Sequence, residues 1–320
     1  MNAILNVLTQ HSRLKVFEEK SHSQIDVKGW LANQGYYVDE NIEQKEFSLR
    51  PANPTLLINA MTNECNRMSI AAIESIIGVY SDSGLKKSGA WGIIRCYYAA
   101  FFAAHSILRM FGYSFTQLDP QHTQKIYELA ALFEKAGDIT RIDKGFYLVS
   151  TNNTFTDVKV KKLSDSHADL WASFLKLINS LIESTHATET LSKFKLETLE
   201  ILESIKTGIT YSRCTEKGNW LSSIRNDVNY KHTHGVWYPH DVNVDIERRL
   251  SKISTDWEKY PIEFTSLKPP SSDVDYFFNV SLSIMSLFRE LLISSAKKTK
   301  KLNDPFKNGS IRILNSYKVN

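Results

Sequence analysis

Apolar residues recur at helical spacing along most of the chain. From Ser69 onward Ile70, Ile73, Ile76, Ile77 and Tyr80 line one face, and Ser81 to Gly84 end the run. Trp91 to Phe111 is the most apolar stretch, with small alanines spread through it, which predicts a buried central helix. Gly112 stops it. A third helix is expected from Pro120, a residue suited to a first turn, to about Ala136. Further helices are expected over His167 to Ile182, Leu191 to Ile205, Asn219 to Gly235 and Val274 to Ala296.

The pattern changes in two places. Ile142 to Ser150 and Thr154 to Leu163 are rich in β-branched and aromatic residues and flank Thr151-Asn152-Asn153. Residues 142–163 therefore predict a β-hairpin projecting from a helical body. Residues 1–64 are mixed: Ile25 to Gln34 suits a helix, Gly35-Tyr36-Tyr37 and Phe47-Ser48-Leu49 suit extended chain, and Pro51 and Pro54 punctuate it. The organisation expected is an N-terminal extension over 1–64 and a mainly α domain over 65–320.

Composition narrows this modestly. The 320 residues are 42% hydrophobic and 23% charged, enough to bury a sizeable core. A net charge of +4 is compatible with a nucleic-acid partner without demanding one. Part of the excess sits in Lys297-Lys298-Thr299-Lys300-Lys301, which suits a solvated helix end. Cys65, Cys96 and Cys214 are odd in number and far apart, so neither a C-x-x-C pair nor a disulfide framework is expected, and a reducing cytoplasm fits. Neither a signal-peptide core nor an uninterrupted membrane-length apolar run is apparent. Phosphate-binding, dinucleotide and nucleophile-elbow glycine motifs are also missing.

One segment concentrates candidate chemistry: Arg225-Asn226-Asp227-Val228-Asn229-Tyr230-Lys231-His232. With Asn219 as the N-cap and about 100° per residue, Trp220, Leu221, Ile224 and Val228 fall within one apolar arc. Arg225, Asn229 and His232 form a polar stripe along its edge. Arg225 and His232 are two turns apart, about 10 Å along the axis. With Gly235 as the residue that ends the helix, His232 occupies the last turn, where the dipole favours imidazolium. A histidine that moves protons and an arginine that grips a phosphate suit metal-free RNA cleavage by the adjacent 2′-hydroxyl. On spacing alone a helix-end histidine and a surface arginine are the better reading, since a chain this size holds about one such pair by chance.

A second segment bears on that choice. Arg95-Cys96-Tyr97-Tyr98-Ala99-Ala100-Phe101-Phe102-Ala103-Ala104 resembles the R-x-Y-Y-A-x-F-x-A-A helix of HEPN domains. Arg225, followed by polar Asn226 and then His232 after six intervening residues, resembles their R-x-H motif at its longer spacing. The resemblance covers roughly residues 69–240 and implies a HEPN-like helical bundle, here with a β-hairpin insertion and the N-terminal extension. It also implies a metal-independent endoribonuclease of the toxin or antiphage-defence kind, requiring no cofactor. Such an enzyme works as a homodimer on an RNA substrate, away from membranes, under an inhibitory antitoxin or a sensor partner. His232 would be the general acid/base, Arg225 would polarise the phosphate and Asn226 would orient the pair. Asn229, Tyr230, Lys231 and His234 would contact substrate. The other reading is a non-catalytic helical scaffold for nucleic acid or protein. His232, His234 and His240 lack a carboxylate or cysteine spaced to complete a metal site. His105, Tyr97 and Tyr98 suit the core, and Trp237 and Tyr238 suit packing or base stacking.

Overall fold

The computed structural model describes residue 8 and residues 25–79, 89–188, 193–211, 217–237, 244–259, 272–298 and 305–316. Tyr80 to Gly84, Leu191, Cys214, Tyr238, Pro239, His240 and Thr299 to Lys301 lie outside the described residues.

In chain order the elements are α1 (Val27–Ala32), β1 (Tyr36–Tyr37), β2 (Glu46–Pro51), α2 (Pro54–Ile77), α3 (Gly89–Met110), β3 (Tyr113–Leu118) and α4 (Pro120–Leu132). Then come β4 (Gly145–Thr151), β5 (Val158–Lys162), α5 (Ala168–Ala187), α6 (Lys193–Ile209), α7 (Trp220–Lys231) and a 3-10 turn at Thr233–Gly235. The chain continues with α8 (Val244–Asp256), a 3-10 turn at Trp257–Lys259, α9 (Asp273–Lys298), α10 (Pro305–Asn308) and α11 (Ser310–Ser316). The fold is mainly helical with one five-stranded antiparallel sheet.

The expected central helix is α3. It packs against α2, α7 and α9, and Ala90, Ala99, Ala100, Ala103 and Ala104 are fully buried along it. Side chains this small let helix axes approach closely, which converts length into dispersion contact. Gly92 makes the same point, since a Cβ there would lie 2.5 Å from Leu250 of α8.

The helix expected from Ser69 starts fifteen residues earlier, at Pro54. Asn53 caps it by accepting from the Thr55 amide, and Pro54 takes the first turn, where a missing N–H costs nothing. The early half hides its periodicity because it is buried on several faces, with polar Asn59, Thr62 and Glu64 inside beside Leu57, Ala60 and Met61.

The hairpin at β4 and β5 forms as expected, but it does not project. The strand order β1-β2-β5-β4-β3 puts it in the middle of the sheet, with Phe47 opposite Val160 and Phe115 opposite Leu148. Both of its strands bury alternate residues, Tyr147, Val149 and Thr151 on β4 and Val158 and Val160 on β5, and such a face needs neighbours. β2 comes from the stretch read as an N-terminal extension. β3 has no expected counterpart, because two of its three buried positions, Ser114 and Thr116, are polar and break the apolar alternation.

α9 is, over Asp273–Lys297, long and apolar enough by composition to cross a bilayer, and 78% of its most apolar stretch is buried in protein. The basic run begins at its end, with Lys297 exposed.

Candidate functional site

α7 is seated by its entry. Gly218 has φ +73, and a Cβ there would meet Leu175 at 3.2 Å and the Trp171 carbonyl at 3.3 Å, so this turn against α5 requires glycine. Asn219 takes the expected N-cap place but its side chain makes no capping bond. The helix buries Trp220, Leu221, Ser222, Ile224 and Val228 against α3 and neighbouring helices.

Its exit differs from the expectation. α7 ends at Lys231 rather than running to Gly235. His232 adopts a left-handed conformation (φ 53, ψ 30) and closes the helix with its N–H on the Asp227 carbonyl. His234 (φ 69) and Gly235 (φ 59) are left-handed too. The early stop brings Trp237 back against the helix. Its Nε1–H donates to the Val228 carbonyl at 2.6 Å, satisfying one of the orphan acceptors of the last turn. The Val236 carbonyl accepts from the Ala90 amide at 3.2 Å, tying the turn to the start of α3. His232 therefore leaves the helical stripe on which its sequence position placed it.

The seven candidate residues separate into two groups. Arg225 is half-buried, with its guanidinium carbon 5.2 Å from the centre of the Tyr97 ring. Its Nε has no hydrogen-bond partner, and among the described residues no carboxylate pairs with it. Asn226, Tyr230, Lys231, His232 and His234 are exposed, and Asn229 is half-buried. Lys231 pairs with Asp227 at 2.7 Å. The His232 ring packs 5.6 Å from Trp237, which in turn meets the exposed Trp91 edge-on at 5.6 Å. No hydrogen bond or ring contact joins Arg225 to His232. Each answers to a different part of α3, the one to Tyr97 and the other through Trp237 to Trp91, about 9 Å apart along that helix.

What the structure does gather around Arg225 was not legible in the sequence. The Tyr97 hydroxyl lies 2.9 Å from His167 Nδ1 and 2.9 Å from Ser222 Oγ, and it accepts from Trp171 Nε1 at 3.3 Å. The imidazole of His167 lies 4.5 Å from the Phe101 ring. Burial, aided by the positive charge of Arg225 and opposed by Asp165, lowers the pKa of His167 and favours the neutral ring. Burial raises the pKa of Tyr97, while Ser222, Trp171 and Arg225 pull it back. His167 precedes the first turn of α5, seventy positions from Tyr97 in the chain. No spacing rule connects two residues so far apart.

His105, about two turns beyond Tyr97 along α3, belongs to the core as expected. Arg109 donates to its Nδ1 at 3.0 Å, so that nitrogen carries no proton. Burial first, then Arg109 and His167, hold its pKa well below the usual histidine value. Among the described residues no three histidine, cysteine or acidic side chains cluster as a metal site would require.

No protein-family model matches the chain, and no curated protein or solved structure matches it either. The resemblance to HEPN domains accordingly stands on the residues of its two segments.

Proposed function

We propose that the chain is a metal-independent endoribonuclease of HEPN type, in which Arg225 holds the scissile phosphate and His232 moves the proton. The 2′-hydroxyl attacks the adjacent phosphorus, the 5′ oxygen leaves, and a 2′,3′-cyclic phosphate remains. His232 accepts the 2′-hydroxyl proton and a protonated imidazole supplies one to the 5′ oxygen. Two copies meeting in one cleft would pair the Arg225 of one with the His232 of the other. Asn226 would then orient the set, while Tyr230, Lys231, Asn229 and His234 contact the strand.

The observation that carries this reading is the state of Arg225. A half-buried guanidinium with an unpartnered Nε and, among the described residues, no carboxylate partner, held against an aromatic face, has spare donors for a phosphate. The test is incubation of the purified chain with total RNA or tRNA in EDTA, beside Arg225→Ala and His232→Ala. Cleavage lost in both variants is expected. Intact RNA with the wild-type dimer, free of bound protein, would sink the proposal.

A second reading, a non-catalytic helical module binding nucleic acid or protein, is favoured by one observation. His232 rests on Trp237 and makes no contact with Arg225. Tight RNA binding without cleavage would select it.

A further inference from the structure

The hydrogen bonds around Tyr97 decide which nitrogen of His167 carries the proton. Trp171 Nε1 can only donate, so it occupies one acceptor position on the phenolic oxygen. Ser222 is buried, and among the described residues the Tyr97 hydroxyl is its one side-chain hydrogen-bond partner. A buried hydroxyl that only accepted there would leave its own O–H unmade, which costs more than an unfilled lone pair. Ser222 therefore donates to Tyr97. Both acceptor positions on the phenol are then filled, and its single proton goes to His167 Nδ1, 2.9 Å away. A neutral imidazole that accepts at Nδ1 carries its hydrogen at Nε2. Among the described residues that Nε2–H has no hydrogen-bond partner, and the half-buried ring lies beside a guanidinium that no described carboxylate neutralises.

We propose that Arg225 and His167 form a two-pronged phosphate-binding site, Arg225 supplying charge and His167 donating Nε2–H to a phosphodiester oxygen. The proposal deepens the ribonuclease reading by adding a substrate contact outside the R-x-H motif, and it rests on that reading for the identity of the strand. A neutral donor suits this place. A second cation beside Arg225 would be repelled, whereas a fixed N–H dipole adds a directed bond without that repulsion. Tyr97 sets the direction: it locks the tautomer and lies under the guanidinium. The charged and titratable groups facing His167 are Arg225 from α7, Tyr97, Tyr98 and His105 from α3, and Asp165 from its own loop.

The test uses the full chain with 15N-labelled histidine, the His167 ring signals being assigned by their loss in His167→Gln. Ring nitrogen shifts in the free protein at neutral pH should report the Nε2–H form, and Tyr97→Phe should release that preference. A single-stranded oligodeoxynucleotide, which offers phosphodiesters but no 2′-hydroxyl, should then shift the Nε2 signal. Its affinity should fall about tenfold in His167→Phe, which keeps the ring packing on Phe101, and less in His167→Gln, which keeps a donor. Inorganic phosphate in a parallel titration tests whether the anion alone suffices. Thermal melting confirms that each variant is folded. The Nδ1–H form in the free protein, absence of oligonucleotide binding, or unchanged affinity in folded His167→Phe each overturns the proposal. RNA cleavage lost in Arg225→Ala and His232→Ala beside a silent His167 removes this site and leaves the ribonuclease. A responding His167 in a chain that cleaves no RNA does the reverse.

Discussion

Arg109 and Glu64 form an ion pair that is almost wholly sealed from water, Nε to Oε2 at 2.9 Å with side chains 1% and 5% exposed. Glu64 also accepts from the Val27 amide and the Ser114 hydroxyl, and Arg109 donates to His105 and to the Phe115 carbonyl. Four elements, α1, α2, α3 and β3, thus meet at one pair of charges. Removing either partner strands the other in a low-dielectric interior. Glu64→Ala and Arg109→Ala are each expected to cost about 3–5 kcal/mol in urea unfolding, and replacing both together by apolar residues of similar volume should cost much less than the two singly.

Arg225 sits differently. Among the described residues it makes no ion pair, so Arg225→Lys should leave the thermal midpoint nearly unchanged. In the cleavage assay the same change should lower the rate about 100-fold, because a point charge replaces a planar fork at the phosphate. Loss of folding in that variant would show that the guanidinium is structural.

Acid should weaken the fold well above the carboxylate range. His105, His167 and His122 all have pKa values lowered mainly by burial. The unfolded chain's histidines titrate near about 6.5. Below that value the unfolded state binds more protons than the folded one, so stability rises with pH through this window and falls on acidification. Urea midpoints at pH 7.5 and pH 5 should differ in that direction. His105→Asn should narrow the gap, His105 being the most buried of the three.

Gly218→Ala tests the seat of α7. The positive φ and the contacts with Leu175 and Trp171 both oppose a side chain, and a loss of at least about 1–2 kcal/mol is expected. If stability is unchanged, the turn between α6 and α7 has other conformations open to it.

The helical parts of this fold were legible because their buried faces are apolar: α3, α5 and α9 follow the repeats of their isoleucines, leucines and aromatic residues. β3 and the start of α2 were not, since both bury polar residues whose partners come from distant segments. Glu64 reads as a surface acid until Arg109 is placed beside it. At the site, spacing identified α7 and the arginine that faces Tyr97. It misplaced His232, because that residue turns left-handed and closes α7 early, and the acceptor left open at Val228 is satisfied by Trp237, a residue beyond the helix. It passed over His167, whose connection to Tyr97 exists only once α5 has packed on α3.

The central place of the β4–β5 hairpin also sets an order of events during synthesis. β2 leaves the ribosome well before β5, with Phe47 and Leu49 on its buried face, and apart from the two-residue β1 its pairing partner is β5. Until Val158 to Lys162 have been made, that strand presents open hydrogen-bonding groups and an uncovered apolar face, the form in which chains associate with one another. The nascent protein thus passes through a long interval of exposure that ends only when the hairpin closes the sheet.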